Sequence, residues 1–296
     1  MKFLSFVEIK TKITSVLTFL FVLTFFWQQK VDVDLPKTLL FFLGMFLFDL
    51  TATAINNYND TKKNGQALMI ERKKALFLLL LLFAISTALG IWLVAVTDFV
   101  VLILGGICFM VGVLYSFGPV PFSHTPFGEV LSGFFYGFMI PLILFYINLP
   151  ELLNVEVVGG SILIALSGHD LLSLVLVAII PFCLTANIML ANNICDLEQD
   201  KKVGRYTLPA FIGTKFAVRL FVALYCVVFA TIPLCVLFGR LHPITLLCFA
   251  VAPFVWKKVK LFVKHQEKSE TFVVAVISFI AVLVPLIALN AIGAVL

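Results

Sequence analysis

Charged residues are scarce in this sequence. They make up 12% of its 296 positions, whereas about 25% is typical of soluble domains. Apolar residues make up 62%, and the mean hydropathy is +1.13. A soluble helical bundle with an unusually apolar core is the weaker interpretation, because the 32 phenylalanines suit lipid-facing surfaces better than a compact aqueous core. The shortage of charge therefore indicates a membrane protein.

The sequence also contains no closely spaced pair of cysteines or of histidines. The six cysteines are scattered through apolar segments without a Cys-x-x-Cys pair, which argues against a disulfide framework and against a zinc site. The four histidines are dispersed and show no ligand spacing. We therefore interpret the cysteines as small apolar residues in helices, and the histidines as surface or loop residues.

Long apolar runs, in contrast, are abundant. A helix that spans a bilayer needs about 20 mostly apolar residues, and nine segments approach this length. They lie near Ile13–Trp27, Thr38–Ile55, Ala75–Val96, Phe99–Phe117, Val130–Ile147, Leu171–Ala191, Phe216–Phe238, Ile244–Phe262 and Thr271–Leu289. Val155–Leu166 is too short to span, and its Gly159-Gly160 pair predicts a loop or a surface-lying segment.

The fold class and orientation follow from these runs and from the basic residues. No small-residue cleavage site follows the charged N-terminus, so we predict a retained first helix. With a cytoplasmic N-terminus, all lysines and arginines except Lys30, Lys37 and Arg240 fall on the inner side, as the positive-inside rule requires. We predict an all-α, polytopic bundle of nine transmembrane helices, forming one domain over residues 1–296. The net charge of +5 reflects this topology, and no nucleic-acid partner is predicted.

One polar pattern occurs twice, at the ends of the second and sixth predicted helices. The first copy reads NNYNDTKKNG over residues 56–65, and the second reads NNICDLEQDKKVG over residues 192–204. Both contain Asn-Asn-x-x-Asp, an oxygen ligand four residues later and a Lys-Lys pair. The repetition suggests a pseudo-repeat of the bundle.

Each copy places three oxygen ligands on one helical face, because residues four apart are neighbours on a helix. They are Asn56, Asp60 and Asn64 in the first copy, and Asn192, Asp196 and Asp200 in the second. Mg²⁺ prefers such oxygens and is commonly shared with substrate phosphates. Two such faces that meet across a cavity would hold a diphosphate through bridging magnesium ions, with the lysines and Arg205 neutralising its remaining charge. For one copy alone, an ordinary polar helix end is an open alternative.

Asp49 lies within the apolar part of the second predicted helix. An acid there costs about 2.5 kcal/mol or more unless it is paired or hydrated. Asp49, Thr53, Asn56 and Asp60 follow helical spacing, so Asp49 is predicted to point into the same cavity. A structural role, with hydrogen bonds to a neighbouring helix, is equally open.

These residues resemble the UbiA-type intramembrane prenyltransferase family. Its signature is an Asn-x-x-x-Asp-x-x-x-Asp motif after the second helix and an Asp-x-x-x-Asp motif after the sixth, in a nine-helix bundle. Within it, the closest resemblance is to the 1,4-dihydroxy-2-naphthoate polyprenyltransferases of menaquinone synthesis. Besides the two motifs, the resemblance rests on Tyr115-Ser116-x-Gly118-Pro119-x-Pro121 and Gly128-Glu129, between the fourth and fifth helices.

The resemblance implies magnesium-dependent transfer of a polyprenyl group from polyprenyl diphosphate to an aromatic acceptor, with 1,4-dihydroxy-2-naphthoate giving demethylmenaquinone. Another acceptor, such as 4-hydroxybenzoate or a haem vinyl group, is an alternative within the family. A secondary transporter is the alternative from another class, but motifs at helix ends beside lysines favour an enzyme. The expected location is the lipid bilayer of a prokaryotic cell membrane, with the active-site loops cytoplasmic.

The resemblance also implies roles for individual residues. The catalytic residues would be Asp60, Asp196, Asp200 and Tyr115, whose ring would face the allylic cation or serve in packing alone. The metal ligands would be the six oxygen-bearing residues named above. Substrate would be bound by Asn56, Asn57, Lys63, Asn192, Asn193, Lys201, Lys202, Arg205 and Asp49.

Five residues depart from the family's pattern. Asn64 stands where the final aspartate of the first motif is usual, and Asn57 stands where an aspartate is common. An amide ligates Mg²⁺ without bringing charge. Glu8-Ile9 stand where many relatives have Arg-Pro, and Tyr206 replaces a basic residue beside Arg205.

Overall fold

The structure, a computed structural model, describes residues 2–63, 68, 70–158 and 161–296; at residues 60, 62–63, 156–158 and 161–162 it describes the backbone. Helices dominate the described residues. The α-helices are α1 (Lys2–Phe6), α2 (Ile13–Gln28), α3 (Leu35–Lys63), α4 (Arg72–Val96), α5 (Phe99–Ser116), α6 (Gly128–Phe134), α7 (Ile140–Asn148), α8 (Gly168–Lys202), α9 (Leu208–Ile212), α10 (Thr214–Leu237), α11 (Ala252–Lys264) and α12 (Val273–Val295). Shorter helical turns join several of them.

Two of these turns extend longer helices. Ile9–Lys12 forms a 3₁₀-helix that leads into α2, and Phe122–His124 forms another between α5 and α6. A π-helix over Phe135–Met139 joins α6 to α7, so Gly128–Asn148 is continuously helical. Within the described residues, eight helical segments are long and apolar enough to cross a membrane. They coincide with eight of the nine predicted spans.

The ninth predicted span, Ile244–Phe262, is helical but divided. It consists of a 3₁₀-helix over Pro243–Val251 followed directly by α11. Each part is shorter than a bilayer requires by itself, and α11 carries Lys257, Lys258 and Lys260 within its 13 residues. The predicted number of nine spans is therefore not confirmed among the described residues.

The segment that we predicted as a loop or surface-lying stretch forms strands. β1 (Leu153–Val158) and β2 (Ser161–Leu166) pair antiparallel, with Leu153 opposite Leu166. The segment is rich in valine and isoleucine, whose branched side chains suit a pleated surface. An apolar run this short does not distinguish strand from helix by its periodicity, so the two strands were not predicted from the sequence.

The chain separates into two compact units, and the first comprises Met1–Val16 and Asp34–Thr125. In this unit, α3 packs against both α4 and α5. Its buried core is formed by Phe6, Val7, Leu50, Ala54, Ile55, Ala75, Leu79 and Leu82. Phe48 and Phe109 stack with their ring centroids 3.9 Å apart. This packing ties the N-terminal segment to α3, whose last turns carry the first motif.

The second unit comprises Leu17–Val33 and Pro126–Leu296. Its central helix is α8, which contacts α6, the π-helix, α7, α9, α10 and α12. Around it, the Phe221 ring lies 4.5 Å from that of Phe262 and 5.2 Å from that of Tyr225. The second motif thus lies at the end of the most enclosed helix of its unit. A single domain over residues 1–296 stays a prediction.

Two glycines bring α6 and the π-helix against the backbone of α8. A Cβ atom at Gly133 would lie 2.9 Å from the carbonyl oxygen of Phe182, and one at Gly137 would lie 2.2 Å from the Phe182 Cα atom. Small residues four apart allow this close approach between membrane helices. The contact fixes how α6, and therefore Glu129 in its first turn, lies against α8.

We expect Gly137→Ala to destabilise the protein by about 1–3 kcal/mol, because the new methyl group meets backbone atoms that cannot rotate away. The measurement is thermal unfolding of the detergent-purified protein. Gly105→Ala is the matched control, since Gly105 also lies in a helix but has open space where its Cβ atom would be. Equal melting temperatures for the two variants would contradict the proposed contact.

Candidate active site

The first motif lies at the C-terminal end of α3. The helix continues to Lys63, so positions 56 and 60 share one face as predicted from their spacing. The side chains of Asp60 and Lys63, and all of Asn64, lie outside the described part of the structure. Of the site residues predicted in the first motif, Asn56 and Asn57 are therefore the two whose side chains are described.

Asn56 joins the motif to the end of α5. Its Oδ1 atom accepts a hydrogen bond from the Ser116 hydroxyl at 2.9 Å, and the Asn59 amide donates to the Ser116 carbonyl oxygen at 3.4 Å. Tyr115, the residue before Ser116, is half-buried in the last turn of α5. The structure thus places the Tyr115-Ser116 stretch beside the first motif within the same unit.

Asn57 is turned toward the N-terminal segment. Its amide donates to the Phe6 carbonyl oxygen at 2.9 Å and to the Glu8 carboxylate at 3.1 Å. Glu8 and Asn57 both depart from the family's pattern, and the structure makes them hydrogen-bond partners. An aspartate at position 57 would face Glu8 with like charge, whereas an amide donates to it. These contacts favour an anchoring role for Asn57.

Asp49 is buried and fully engaged in a polar cluster. The Lys12 ammonium lies 2.7 Å from its Oδ1 atom, and the Ser15 hydroxyl donates to its Oδ2 atom at 2.7 Å. Lys12 also donates to the Thr53 hydroxyl and to the Asp49 carbonyl oxygen. These contacts match the structural alternative for Asp49, with hydrogen bonds to a neighbouring helix. From the sequence, Lys12 was interpreted only as one of the inner basic residues that set the orientation in the membrane.

The second motif lies at the end of α8, in the other unit. Asn192 is half-buried and donates to Asn193 at 3.4 Å, and the buried Asn193 amide donates to Glu129 Oε1 at 2.8 Å. Glu129, in the first turn of α6, is also buried. The motif resemblance included Glu129 without assigning it a role, and the structure shows that it orients Asn193.

Both aspartates of the second motif face basic side chains. Arg205 follows the turn at Gly204, and its Nε atom lies 3.6 Å from Asp200 Oδ1. Its backbone amide donates to the Asp200 carbonyl oxygen at 2.9 Å. Asp196 forms an ion pair with Lys268, which lies between α11 and α12. The end of α8 therefore presents two carboxylates that each stabilise a nearby positive charge.

Lys201 and Lys202, which the sequence predicts to bind substrate, lie at the solvent-exposed end of the same helix. Lys201 pairs with Glu198 at 3.0 Å, and Lys202 is exposed. Among the ion pairs of the described residues, neither lysine is paired with Asp196 or Asp200. Both side chains can reorient toward an anion at this helix end without breaking a buried contact.

The second motif fits a magnesium ion by the chemistry of its donors. Asn192, Asp196 and Asp200 follow one another at intervals of four along a continuous helix, which places their oxygens on one face. Mg²⁺ takes oxygen ligands of this kind and usually completes its octahedron with water and phosphate. The Lys268 ammonium beside Asp196 shows that this carboxylate accommodates a cation.

The sequence comparison decides the family. The sequence pattern of the UbiA prenyltransferase family matches residues 15–283. This chain belongs to the UbiA prenyltransferase family. The resemblance found in the two motifs is therefore confirmed, and this UbiA enzyme is a prenyltransferase. The transporter alternative is not retained.

Similar proteins and solved structures are consistent with this family assignment. The chain is 30% identical over 248 residues to the 1,4-dihydroxy-2-naphthoate octaprenyltransferase of Bacillus subtilis, covering 80% of this chain and 74% of the relative. A UbiA homologue from Aeropyrum pernix K1 matches with a TM-score of 0.66 at 17% identity, over 97% of each chain. A homologue from Archaeoglobus fulgidus, bound to GPP and Mg²⁺, matches over 100% of each chain with a TM-score of 0.59 at 16% identity. The UbiA-type membrane helix fold is therefore confirmed.

Two residues of this UbiA enzyme carry contacts to the second motif that sequence reasoning did not assign. Glu129 was quoted for resemblance alone, and Lys268 was counted only among the inner basic residues. The only sign of a role for Glu129 was weak: it is a carboxylate in the first turn of a helix. For Lys268 there was none, because its partner Asp196 lies 72 residues away along the chain.

Proposed function

We propose that this prenyltransferase transfers a polyprenyl group from polyprenyl diphosphate to 1,4-dihydroxy-2-naphthoate in a magnesium-dependent reaction. The observation that carries the proposal is the end of α8, where Asn192, Asp196 and Asp200 share one face and both carboxylates pair with basic side chains. The acceptor is supported by the Bacillus subtilis relative, which is named for this substrate. Prenyl diphosphate and Mg²⁺ are supported by the Archaeoglobus fulgidus homologue.

The proposal assigns the oxygen-bearing residues of both motifs to magnesium. They are Asn56, Asp60, Asn64, Asn192, Asp196 and Asp200. Bound magnesium supplies leaving-group stabilisation by neutralising the charge that develops on the diphosphate. Lys63, Lys201, Lys202 and Arg205 are proposed to neutralise the remaining negative charge of the substrate.

The covalent step breaks the bond between the allylic carbon and the diphosphate oxygen, and the electron pair leaves with the diphosphate. The ring carbon of the acceptor that bears the carboxylate then attacks the allylic cation and forms a new carbon–carbon bond. Loss of this carboxylate as CO₂ restores the aromatic ring and gives the quinol form of demethylmenaquinone. The Tyr115 ring is proposed to stabilise the cation through its face.

The remaining predicted residues support the site through positioning. Asn193 is held by Glu129, and Asn57 is held by the N-terminal segment. Next to Glu129, an apolar cavity of about 110 Å³ is lined by Val130, Phe182 and Leu190 among others. This cavity is proposed to receive part of the prenyl chain, whose transfer from water into an apolar surrounding is favourable.

The proposed location is the cell membrane, with the N-terminus and both motif-bearing helix ends on the cytoplasmic side. The eight apolar helices support a multi-pass protein. The side on which the motifs lie rests on the distribution of lysine and arginine, which favours the cytoplasm for all but three of them.

The test is an assay of the purified protein with polyprenyl diphosphate, Mg²⁺ and separate acceptors: 1,4-dihydroxy-2-naphthoate, 4-hydroxybenzoate and haem. We expect prenylated naphthoquinol, detected by mass spectrometry, and loss of at least about 100-fold in rate when a chelator removes Mg²⁺. Restoring Mg²⁺ should restore the rate. Product with another acceptor alone would overturn the acceptor assignment, and a chelator-resistant rate would overturn the metal dependence.

A further inference from the structure

Lys268 covers the carboxylate of Asp196. Lys268 belongs to the segment 265–272 between α11 and α12, and its ammonium forms an ion pair with Asp196 Oδ2 on α8. The Asp196 side chain is 14% exposed, whereas the Lys268 side chain is 53% exposed. The carboxylate is therefore fixed within the protein, while the lysine that covers it has room to move into solvent.

The segment that carries Lys268 is a built turn. The Glu267 backbone amide donates to the Thr271 hydroxyl at 2.9 Å, and the Thr271 amide donates to the Glu267 carbonyl oxygen at 2.8 Å. Thr271 is buried, and the Gln266 amide donates to the Val263 carbonyl oxygen at 2.8 Å. The backbone around Lys268 is thus held on both sides of the residue, which tethers the lysine near Asp196 while its side chain can still move.

The nearby acidic residues of this turn have a different partner. The Glu267 carboxylate lies 2.9 Å from the His265 ring and the Glu270 carboxylate lies 3.6 Å from it. The hydrogen bond from His265 holds the pKa of Glu267 below its ordinary value. Among the recorded ion pairs of the described residues, that of Lys268 is with Asp196. The turn therefore presents its lysine to the motif.

We propose that Lys268 is a tethered counter-ion that competes with magnesium for Asp196. The Asp196 Oδ2 atom that accepts from the Lys268 ammonium is not free to ligate a metal, so metal binding through this oxygen requires Lys268 to leave. Without diphosphate, the displaced ammonium loses its partner beside a dication, which opposes binding of the metal alone. With diphosphate present, the displaced ammonium meets a new anion. Lys268 thereby couples metal binding to diphosphate binding.

This inference rests on the proposed function in one respect, the assignment of Asp196 to the metal. Its test uses Mn²⁺ as a paramagnetic probe for the magnesium site, with binding to the purified full chain followed by electron paramagnetic resonance. In the absence of diphosphate, we expect Lys268→Met to bind Mn²⁺ about fivefold more tightly than the wild type. This factor corresponds to about 1 kcal/mol, the upper end for a partly exposed ion pair.

Two further variants define the origin of the change. Lys264→Met removes an exposed lysine from the end of α11, for which the described residues record no ion pair, and should leave the Mn²⁺ affinity unchanged. The double variant with Lys268→Met and Asp196→Asn should not show the gain in Mn²⁺ affinity that is expected for Lys268→Met alone. Addition of inorganic diphosphate should tighten Mn²⁺ binding in the wild type and should do so less in Lys268→Met. If Lys268 were merely structural, its replacement would not both tighten Mn²⁺ binding without diphosphate and weaken the effect of diphosphate.

The outcomes separate this inference from the proposed function. Equal Mn²⁺ affinities for the wild type, Lys268→Met and Lys264→Met would overturn the role of Lys268, even if prenylated product is formed. No Mn²⁺ binding by any of these proteins would overturn both the role of Lys268 and the metal site. A fivefold gain in affinity without prenylation of any acceptor would support the role of Lys268 and overturn the proposed substrates.

Discussion

Replacing Asp196 by asparagine is expected to lower the rate of prenyl transfer by at least about 100-fold, because it removes a negative charge from the proposed metal site. Asparagine has the same size and keeps one oxygen, so the helix end retains its shape. The structural loss is confined to the ion pair with Lys268, which is partly exposed and worth at most about 1 kcal/mol. Asp60→Asn is expected to act in the same way at the first motif.

The measurement combines initial rates at saturating prenyl diphosphate and Mg²⁺ with the melting temperature of each variant. Asp34→Asn is the matched control, because Asp34 also forms an ion pair, with Lys37 at 2.6 Å. The hydrogen bonds from Lys37 hold the pKa of Asp34 below its ordinary value, so the control also removes a charged carboxylate. A near-normal rate for folded Asp196→Asn protein would exclude Asp196 from the reaction.

The long helices and the position of both motifs could be predicted from the sequence. Apolar runs of sufficient length fold as helices in a bilayer because no water is present to satisfy free backbone groups. Spacing of four in the motifs predicted one helical face, and α3 and α8 do continue through Lys63 and Lys202. These features depend on neighbours along the chain, which a single sequence contains.

The partners of the motif residues could not be predicted in this way. Asn193 meets Glu129 at a separation of 64 residues, and Asp196 meets Lys268 at a separation of 72. Such pairs depend on how helices pack, and the packing depends on contacts such as Gly137 against Phe182. A lysine in a basic loop looks the same in the sequence whether it serves topology or covers a carboxylate.

The partner of Asp49 in the buried ion pair of the first unit, Lys12, could not be predicted from the sequence either. Asp49 was identified as costly from its apolar surroundings, but Lys12 was counted only among the inner basic residues that set the membrane orientation. The 3₁₀-helix Ile9–Lys12 turns the Lys12 side chain inward, where it is 3% exposed. The hydropathy of Asp49 signalled that a partner was needed, and the fold determined which residue it was.

We expect Lys12→Met to destabilise the protein by about 3–5 kcal/mol, because it leaves the Asp49 carboxylate buried without its cation. Methionine fills a similar volume, so the loss reflects the uncompensated charge. The measurement is thermal unfolding in detergent. Lys10→Met is the control, since Lys10 lies in the same 3₁₀-helix but is exposed.

A double variant separates the cost of an unpaired charge from the value of the pair itself. Replacing a whole buried ion pair by apolar residues of similar volume is often neutral or stabilising. Lys12→Met combined with Asp49→Leu should therefore recover most of the stability that Lys12→Met alone loses. Ser15 would retain its hydrogen bond to the carbonyl oxygen of residue 12, which is 3.0 Å long. If the double variant were no more stable than Lys12→Met, the loss would come from packing at position 12, because removal of the unpaired carboxylate would have had no effect.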